Sequence, residues 1–302
     1  MEGSHRHLPV LLREVLSETE FLRDRPDARI GDLTAGRGGH AKAFLEVLPR
    51  ARLELWDQDP EAVSFLRELF LLEAQSGRIS LQRANFADVD WVAESFDFLL
   101  ADLGVSSPQL DNANRGFSFL KDGPLDMRMN PGDAVTAAQI LQDSSEEDLI
   151  QIFKTWGEVR SPYRVVRAIV HDRKKKAFQT TRELASLIER VEGWRKRSMH
   201  PATLYFQALR LEVNQEIPRL QQVLPKLLQA LRPSGRLVVL TFHSLEDRLV
   251  KQCFRSSDLG APRYKKVVTA SHEETELNPR SRSAKMRVFE RGEGVDRMRP
   301  SR

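Results

Sequence analysis

The sequence predicts an α/β fold, a mostly parallel sheet covered by helices on both faces and interrupted once by a long helical segment. Three observations carry this. Short apolar runs alternate with helix-period segments over the first hundred residues, as strands joined by helical crossovers do. A glycine-rich turn follows the first of those runs. The next convincing buried strand after the fourth, Arg236 to Phe242, then comes more than a hundred residues later.

Arg29 to Leu33 reads as a strand running into Thr34-Ala35-Gly36-Arg37-Gly38-Gly39. The helix after it has apolar residues at Ala41, Phe44, Leu45 and Leu48 and is ended by Pro49. Arg52 to Trp56 alternates as a strand should and stops at Asp57. Asp59 and Pro60 supply the N-cap and first-turn proline of one helix carrying Val63, Leu66 and the run Leu69 to Leu72. A third strand, Ile79 to Gln82, leads to Asn85 and Phe86. A fourth, Phe96 to Ala101, is nearly all apolar and ends at Asp102.

What intervenes next is helical. Ser145 with Asp148, and Thr180 with Glu183, have the spacing of capping boxes. Further helices are predicted from Tyr163 to about Lys175 and from Pro201 to Asn214. The expected organisation is therefore a discontinuous core, residues 1–109 and 215–302, with an all-helical insertion over 110–214. A helix from Ile217 to Leu231, a turn over Arg232-Pro233-Ser234-Gly235 and a strand from Leu237 to Phe242 resume the core. A helix from Glu246 to Phe254 and a late strand from Met286 to Glu290 complete it. Ser256 to Asn278 has no clear period and reads as loop.

Composition narrows the class. Of 302 residues, 40% are hydrophobic and 30% charged, and no stretch approaches the roughly 20 apolar residues of a membrane span. Met1 to Arg6 leads into no apolar signal-peptide core, so a cytoplasmic address is expected. Cys253 is the only cysteine, which excludes an intramolecular disulfide and a Cys-rich zinc site. His5-Arg6-His7 has no second ligand cluster beside it, so no metal is expected. Lysine plus arginine exceeds aspartate plus glutamate by 47 − 43 = 4. Basic clusters at Arg173 to Lys176, Arg195 to Arg197 and Arg280 to Arg287 point to a polyanionic partner.

A glycine-rich turn between strand and helix lets backbone N–H groups approach a nucleotide closely. Gly36-Arg37-Gly38-Gly39-His40-Ala41 fits G-x-G-x-x-A, which by itself serves NAD and S-adenosylmethionine alike. Asp57, at the end of the second strand, would accept ribose hydroxyls in either case. Three features favour the methyl donor. Asp32 stands just before the turn, where a carboxylate meets the amino end of a methionine moiety. Leu231 to Arg236 resembles the helix–turn–strand that leads into the fifth strand of methyltransferase cores. The fourth strand ends in Asp102-Leu103-Gly104-Val105-Ser106-Ser107-Pro108-Gln109, a polar-small-proline tip where amino-methylating enzymes hold their acceptor nitrogen. Phe86 is placed either to line an adenine pocket or to serve as a core aromatic. The tip lacks the second glycine of a hydrolase nucleophile elbow.

Together these segments resemble the bacterial ribosomal RNA small subunit methyltransferase H family. The resemblance rests on His7 to Glu14, Asp32 to His40, Asp102 to Gln109, Arg115 to Phe119, Asp122 to Met129, His200 to Thr203 and Phe242 to Arg248. It implies a Rossmann-like class I S-adenosylmethionine methyltransferase core with an inserted helical domain that helps present RNA. The implied reaction is methylation of the N4 amine of cytosine 1402 in 16S ribosomal RNA, within the small ribosomal subunit. Gly38, Gly39, His40, Asp57, Phe86, Asp102 and Gln109 are the cofactor contacts it implies. The chain departs from the family pattern at Ala35, where the family has Phe, and at Leu204-Tyr205, where it usually has Arg-Thr.

The exocyclic amine of cytosine is a poor nucleophile, because its lone pair is delocalised into the ring. Acceptors on its protons favour a pyramidal nitrogen, and Ser106, Ser107 and the carbonyls beside Pro108 are the candidates, with Asp102 nearby. The base must leave its stack or be presented unpaired. His243, Glu246 and Asp247 either orient the base and take its proton or cap the helix they begin. Arg115, Asp126 and Arg128 either clamp phosphates or order a loop. Two other readings compete, an NAD-dependent oxidoreductase and a non-catalytic RNA-binding assembly factor. A DNA amino-methyltransferase is disfavoured by Gln109, where such enzymes usually carry an aromatic residue. The sequence sets no oligomeric state.

Overall fold

The computed structural model describes residues 9–193 and 200–293; the His5–His7 segment and the Arg195–Arg197 cluster lie outside them. Two compact units divide the chain. The first runs to Gly104 and resumes at Arg219; the second is Val105–Pro218. The units part at 104/105 and 218/219, a few residues from the expected 109/110 and 214/215.

In chain order the first unit begins with α1 (Leu12–Ser17), β1 (Arg29–Asp32), α2 (Gly39–Val47) and β2 (Arg52–Asp57). α3 (Pro60–Leu69), α4 (Leu71–Gln75), β3 (Ile79–Arg83) and β4 (Phe96–Asp102) follow. Asp59 caps α3 by accepting from the N–H of Glu61, with Pro60 in the first turn. The single helix expected over Val63 to Leu72 is two, because Phe70 leaves helical geometry at φ −113° and its ring is buried.

The second unit holds α5 (Ser107–Asp111), α6 (Ala137–Asp143), α7 (Glu146–Thr155), α8 (Tyr163–Asp172), α9 (Thr181–Glu192) and α10 (Ala202–Asn214). Both anticipated capping boxes form: Ser145 accepts from the N–H of Asp148 and Thr180 from that of Glu183. This unit has its own apolar core, including Phe153, Val166, Ile188 and Tyr205. Tyr205, at one of the departures from the family pattern, is a core residue: it is 2% exposed and packs edge-on against Phe153 at 4.9 Å.

The chain returns through α11 (Glu216–Ala230), β5 (Leu231–Thr241), α12 (Ser244–Ser256), β6 (Gly260–Pro262), β7 (Val268–Thr269), α13 (His272–Leu277) and β8 (Lys285–Arg291). Two expectations are corrected here. Arg232 to Gly235 is not a free turn but an irregular stretch of β5, across which the pairing with β4 shifts register. Pro233 has no N–H for the ladder, and Ser234 sits at φ +61°, so the chain bulges rather than pairing evenly. The segment from Ser256 to Asn278 is not all loop. Its strands are three and two residues long, too short to show a period.

The strands form one mixed sheet in the order β3-β2-β1-β4-β5-β8-β6, with β7 also on β8. β1 to β5 run parallel, and β8 is antiparallel to β5. β5 shows how period 2 builds two cores. Val238 and Leu240 join the cluster of Phe44, Leu66 and Phe98 on one face. Leu237 and Val239 join Trp56, Leu227 and Phe289 on the other.

Two buried acids are neutralised at the sheet's opposite end. Asp97 of β4 meets Arg25 at 3.0 Å and Arg232 at 2.9 Å. Glu18, 1% exposed, accepts from Arg236 (3.2 Å) and from the hydroxyl of Tyr264, and is ion-paired with Arg263 at 3.1 Å. Arg236 also lies 4.3 Å over the Phe21 ring and reaches Glu290 at 2.9 Å, tying the residues after α1 to β5 and β8.

Candidate functional site

In the order 3-2-1-4-5 the sheet changes winding direction between β1 and β4, so a crevice opens beyond the carboxyl ends of those two strands. Asp32 is the last residue of β1 and Asp102 the last of β4. Both therefore sit at the mouth of that crevice by topology alone.

The turn after β1 is held from β2 and β4. Ala35 N–H donates to the Trp56 carbonyl at 2.9 Å. Asp57 accepts from Gly36 N–H at 2.8 Å and from Asp59 N–H at 2.9 Å, so it organises two turns at once. Asp102 N–H donates to the Thr34 hydroxyl at 2.7 Å, which locks the turn to the tip of β4. Gly38 then caps α2 at φ +72°, a left-handed conformation that side chains rarely accept. A β-carbon on Gly38 would meet the Phe70 ring at 2.8 Å, and one on Gly39 would meet the Pro9 ring at 2.5 Å. The turn thus lies tight against its supports, with the first N–H groups of α2 lacking intrahelical partners.

Electrostatics mark the two strand-end acids. Burial pushes Asp32 from 3.8 up to about 7; the Thr34 N–H pulls it back and Asp57 pushes it further. Burial also pushes Asp102 from 3.8 up to about 8, with added repulsion from Asp32 and Glu246. One carboxylate oxygen of Asp102, Oδ1, is buried with no hydrogen-bond partner. An acid whose proton is held more tightly folded than unfolded makes folding less favourable as pH rises between the two values. The ligand-free protein is accordingly expected to lose stability from about pH 4 to about pH 8. Urea unfolding at a series of pH values checks this; a flat or rising curve across that window would contradict it.

The remaining first-unit candidates fall into place around these acids. Phe86 follows β3 in a short 3-10 turn and packs, half-buried, on the Trp56 cluster. The Asn85 side chain beside it bonds Gln58 at 2.9 Å, tying this corner to the Asp57 turn. His40 is buried in α2, and its ring is 3.1 Å from the Val10 carbonyl. The His243 ring is enclosed, Nε2 lying 3.0 Å from Glu246 Oε1 without an aligned hydrogen bond. Glu246 Oε2 accepts from the N–H groups of Phe242 (2.8 Å) and His243 (3.4 Å). Glu246 is thus the cap of α12. Asp247 is held by Arg287 at 2.7 and 3.1 Å. The structure therefore gives Glu246 and Asp247 holding roles and leaves His243 beside them.

Ser106, Ser107 and Gln109 belong to the second unit. Ser106 precedes α5, Ser107 begins it, and buried Gln109 accepts from Ser106 N–H at 2.9 Å. In the same unit Arg115 donates to the carbonyls of Arg128 (3.1 Å) and Met129 (2.8 Å). Arg128 grips Asp126. These three order the loop, and Asn214 pins it through Met127 and Met129. Sequence reasoning missed Thr34, Asn214 and the capping role of Gln109. The S-x-x-Q spacing from Ser106 to Gln109 was the available signal for the last.

Among the described residues no cluster of His, Cys, Asp and Glu could hold a metal ion, and no helix is long and apolar enough to cross a membrane.

Known proteins are similar to this sequence over almost its whole length. The model of the MraW methylase family matches residues 4–292. A ribosomal RNA small subunit methyltransferase H from Bdellovibrio bacteriovorus is 51% identical over 292 residues, 96% of this chain and 89% of the relative. One of the same description from Stenotrophomonas maltophilia is 43% identical, covering 95% and 94%. Another from Cyanothece sp. is 42% identical, covering 98% of each.

Proposed function

The chain belongs to the MraW methylase family, and from that premise we propose that it methylates the N4 amine of a cytosine in small-subunit ribosomal RNA, using S-adenosylmethionine. The relatives of that description support the substrate class. The observation that carries the cofactor is the pair of strand-end acids, buried Asp32 and half-buried Asp102, with a buried unpartnered oxygen on Asp102. Such a crevice stabilises a cation and repels a pyrophosphate. S-adenosylmethionine carries a sulfonium and an ammonium; NAD would bring its pyrophosphate to the same helix start. The residues fit the donor and disfavour the dinucleotide.

In this reading the Gly38–Gly39 turn and the first N–H groups of α2 hold the methionine end, with Asp32 facing its ammonium. Asp57 accepts the ribose hydroxyls while its own turn contacts keep it in place, and Phe86 covers the adenine. The donor supplies an electrophilic methyl group on a positively charged sulfur. Ser106 and Ser107 accept from the target amine and turn its lone pair toward carbon. As the new N–C bond forms and the S–C electron pair stays with sulfur, one proton leaves the amine. Asp102 takes it. A base with pKa near the working pH is the effective one; burial raises Asp102 to about 8 in the ligand-free protein, and the donor's positive charge draws it down from there.

Methyl transfer from labelled donor to ribosomal RNA, with nucleoside mass spectrometry of the product, is the direct test. The double variant Ser106→Ala/Ser107→Ala is expected to retain binding of S-adenosylhomocysteine in titration calorimetry and to lose transfer by at least about a hundredfold. Wild-type protein should show no heat with NADH. Transfer at the parent rate in the double variant would refute the serine assignment; NADH binding without S-adenosylhomocysteine binding would refute the whole reading.

A further inference from the structure

The function proposed above leaves unused a cavity of about 230 Å³ on the first unit, lined by α12, the segment from Pro262 to Lys266, and β8. This is small beside the roughly 300–1,000 Å³ of a cofactor site. Its floor is apolar, from Phe254, Met286 and Val288, all nearly buried. Its rim is cationic. Lys251 and Arg255 stand one turn apart on the same stripe of α12, and Lys265 and Lys266 come from the facing segment.

Among the described residues these four side chains have no ion pair and no hydrogen bond, and no carboxylate lines the cavity. The fifth cation there, Arg287, is already matched by Asp247. Other cations on this unit are paired, as Arg25, Arg236 and Arg263 are. Four adjacent unmatched cations repel one another, and an external anion brought among them relieves that repulsion.

An aromatic ring completes the arrangement. Tyr264 also lines the cavity and is 40% exposed, yet its hydroxyl is anchored on buried Glu18. A ring fixed at one end and open to solvent beside a row of cations is a stacking platform next to a phosphate site, the combination that single-stranded nucleic acids engage. A small anionic metabolite would need neither the spread of unmatched charge over two elements nor the ring.

We propose that this cavity holds a backbone phosphate of single-stranded RNA, with an adjoining base stacked on Tyr264. The inference rests on RNA being the substrate, and it assigns to the first unit a contact with the RNA chain beyond the target base.

The test uses the full-length protein, an oligouridylate and polyglutamate as probes, and two variants. For Lys251→Gln/Lys265→Gln/Lys266→Gln, oligouridylate affinity is expected to fall at least about tenfold, and the salt dependence to flatten by about 0.7 for each phosphate no longer neutralised. For Tyr264→Leu, affinity is expected to fall about tenfold with the salt dependence unchanged, while Tyr264→Phe retains more of it. Parent affinity and slope in the triple variant overturn the proposal, as does polyglutamate competing as well as oligouridylate while Tyr264→Leu is silent. S-adenosylhomocysteine binding, measured on the same preparations, reports on the methyltransferase assignment and is expected to stay at the parent value in every variant.

Discussion

Asp102→Asn is expected to lower methyl transfer by about 10²- to 10⁴-fold, the usual worth of a positioned base, and at the same time to stabilise the ligand-free protein at alkaline pH. The two effects have one cause. Wild-type Asp102 holds its proton up to about pH 8 in the fold and releases it near 3.8 when unfolded. Each pH step between those values therefore costs folding on the order of 1.4 kcal/mol. Asparagine carries no charge to desolvate, so its advantage should grow by a few kcal/mol between about pH 5 and pH 8.5. Urea unfolding at both pH values, with single-turnover transfer rates, measures the pair. A variant equally active, or no more stable at the higher pH, would remove Asp102 from the role of base.

Gly38→Val is expected to cost about 3 kcal/mol of stability and on the order of a hundredfold in S-adenosylhomocysteine affinity. A β-branched residue at φ +72° is strained by its own backbone. The first added carbon also lies 2.8 Å from Phe70 and 3.0 Å from Leu66, and both of those side chains are buried. Relief requires α3 to move or the turn to shift off α2. Either displaces the N–H groups at the helix start. Thermal unfolding and calorimetry with S-adenosylhomocysteine read the two losses, and a variant unchanged in both would show that the turn tolerates a side chain.

The parallel core was legible in the sequence because its strands are short apolar runs and three of them, β1, β2 and β4, end in carboxylates. Phe96 to Ala101 is the clearest case, apolar except for an Asp97 that Arg25 and Arg232 neutralise and the Arg29 N–H also bonds. The break at Phe70 was not legible, since Leu69 to Leu72 continues the helical period and only the need to bury one ring under Gly38 ends it. The edge strands β6 and β7 were invisible because two or three residues carry no period. At the site, Asp32, Asp57 and Asp102 could be read from their places at strand ends. The division of labour around α12 could not. Glu246 and Asp247 look equally catalytic in sequence, and only their contacts with the Phe242 N–H and with Arg287 show them occupied in holding structure.

The Glu18 network has a bearing on how the chain is made. Its acid is supplied within the first twenty residues, while the cations and the hydroxyl that neutralise it come from Arg236, Arg263 and Tyr264. Until those emerge from the ribosome, β4 has an unsealed edge and Glu18 has no counter-charge. The helical unit, with a core of its own, is complete once Pro218 is out and can close first. At synthesis rates of about 5–20 residues per second, the nascent sheet waits several seconds with its strand edge open. A chain terminated before Leu231 would lack β5 and β8 altogether, and with them Glu246 and the strand that pairs with β4 beside Asp102.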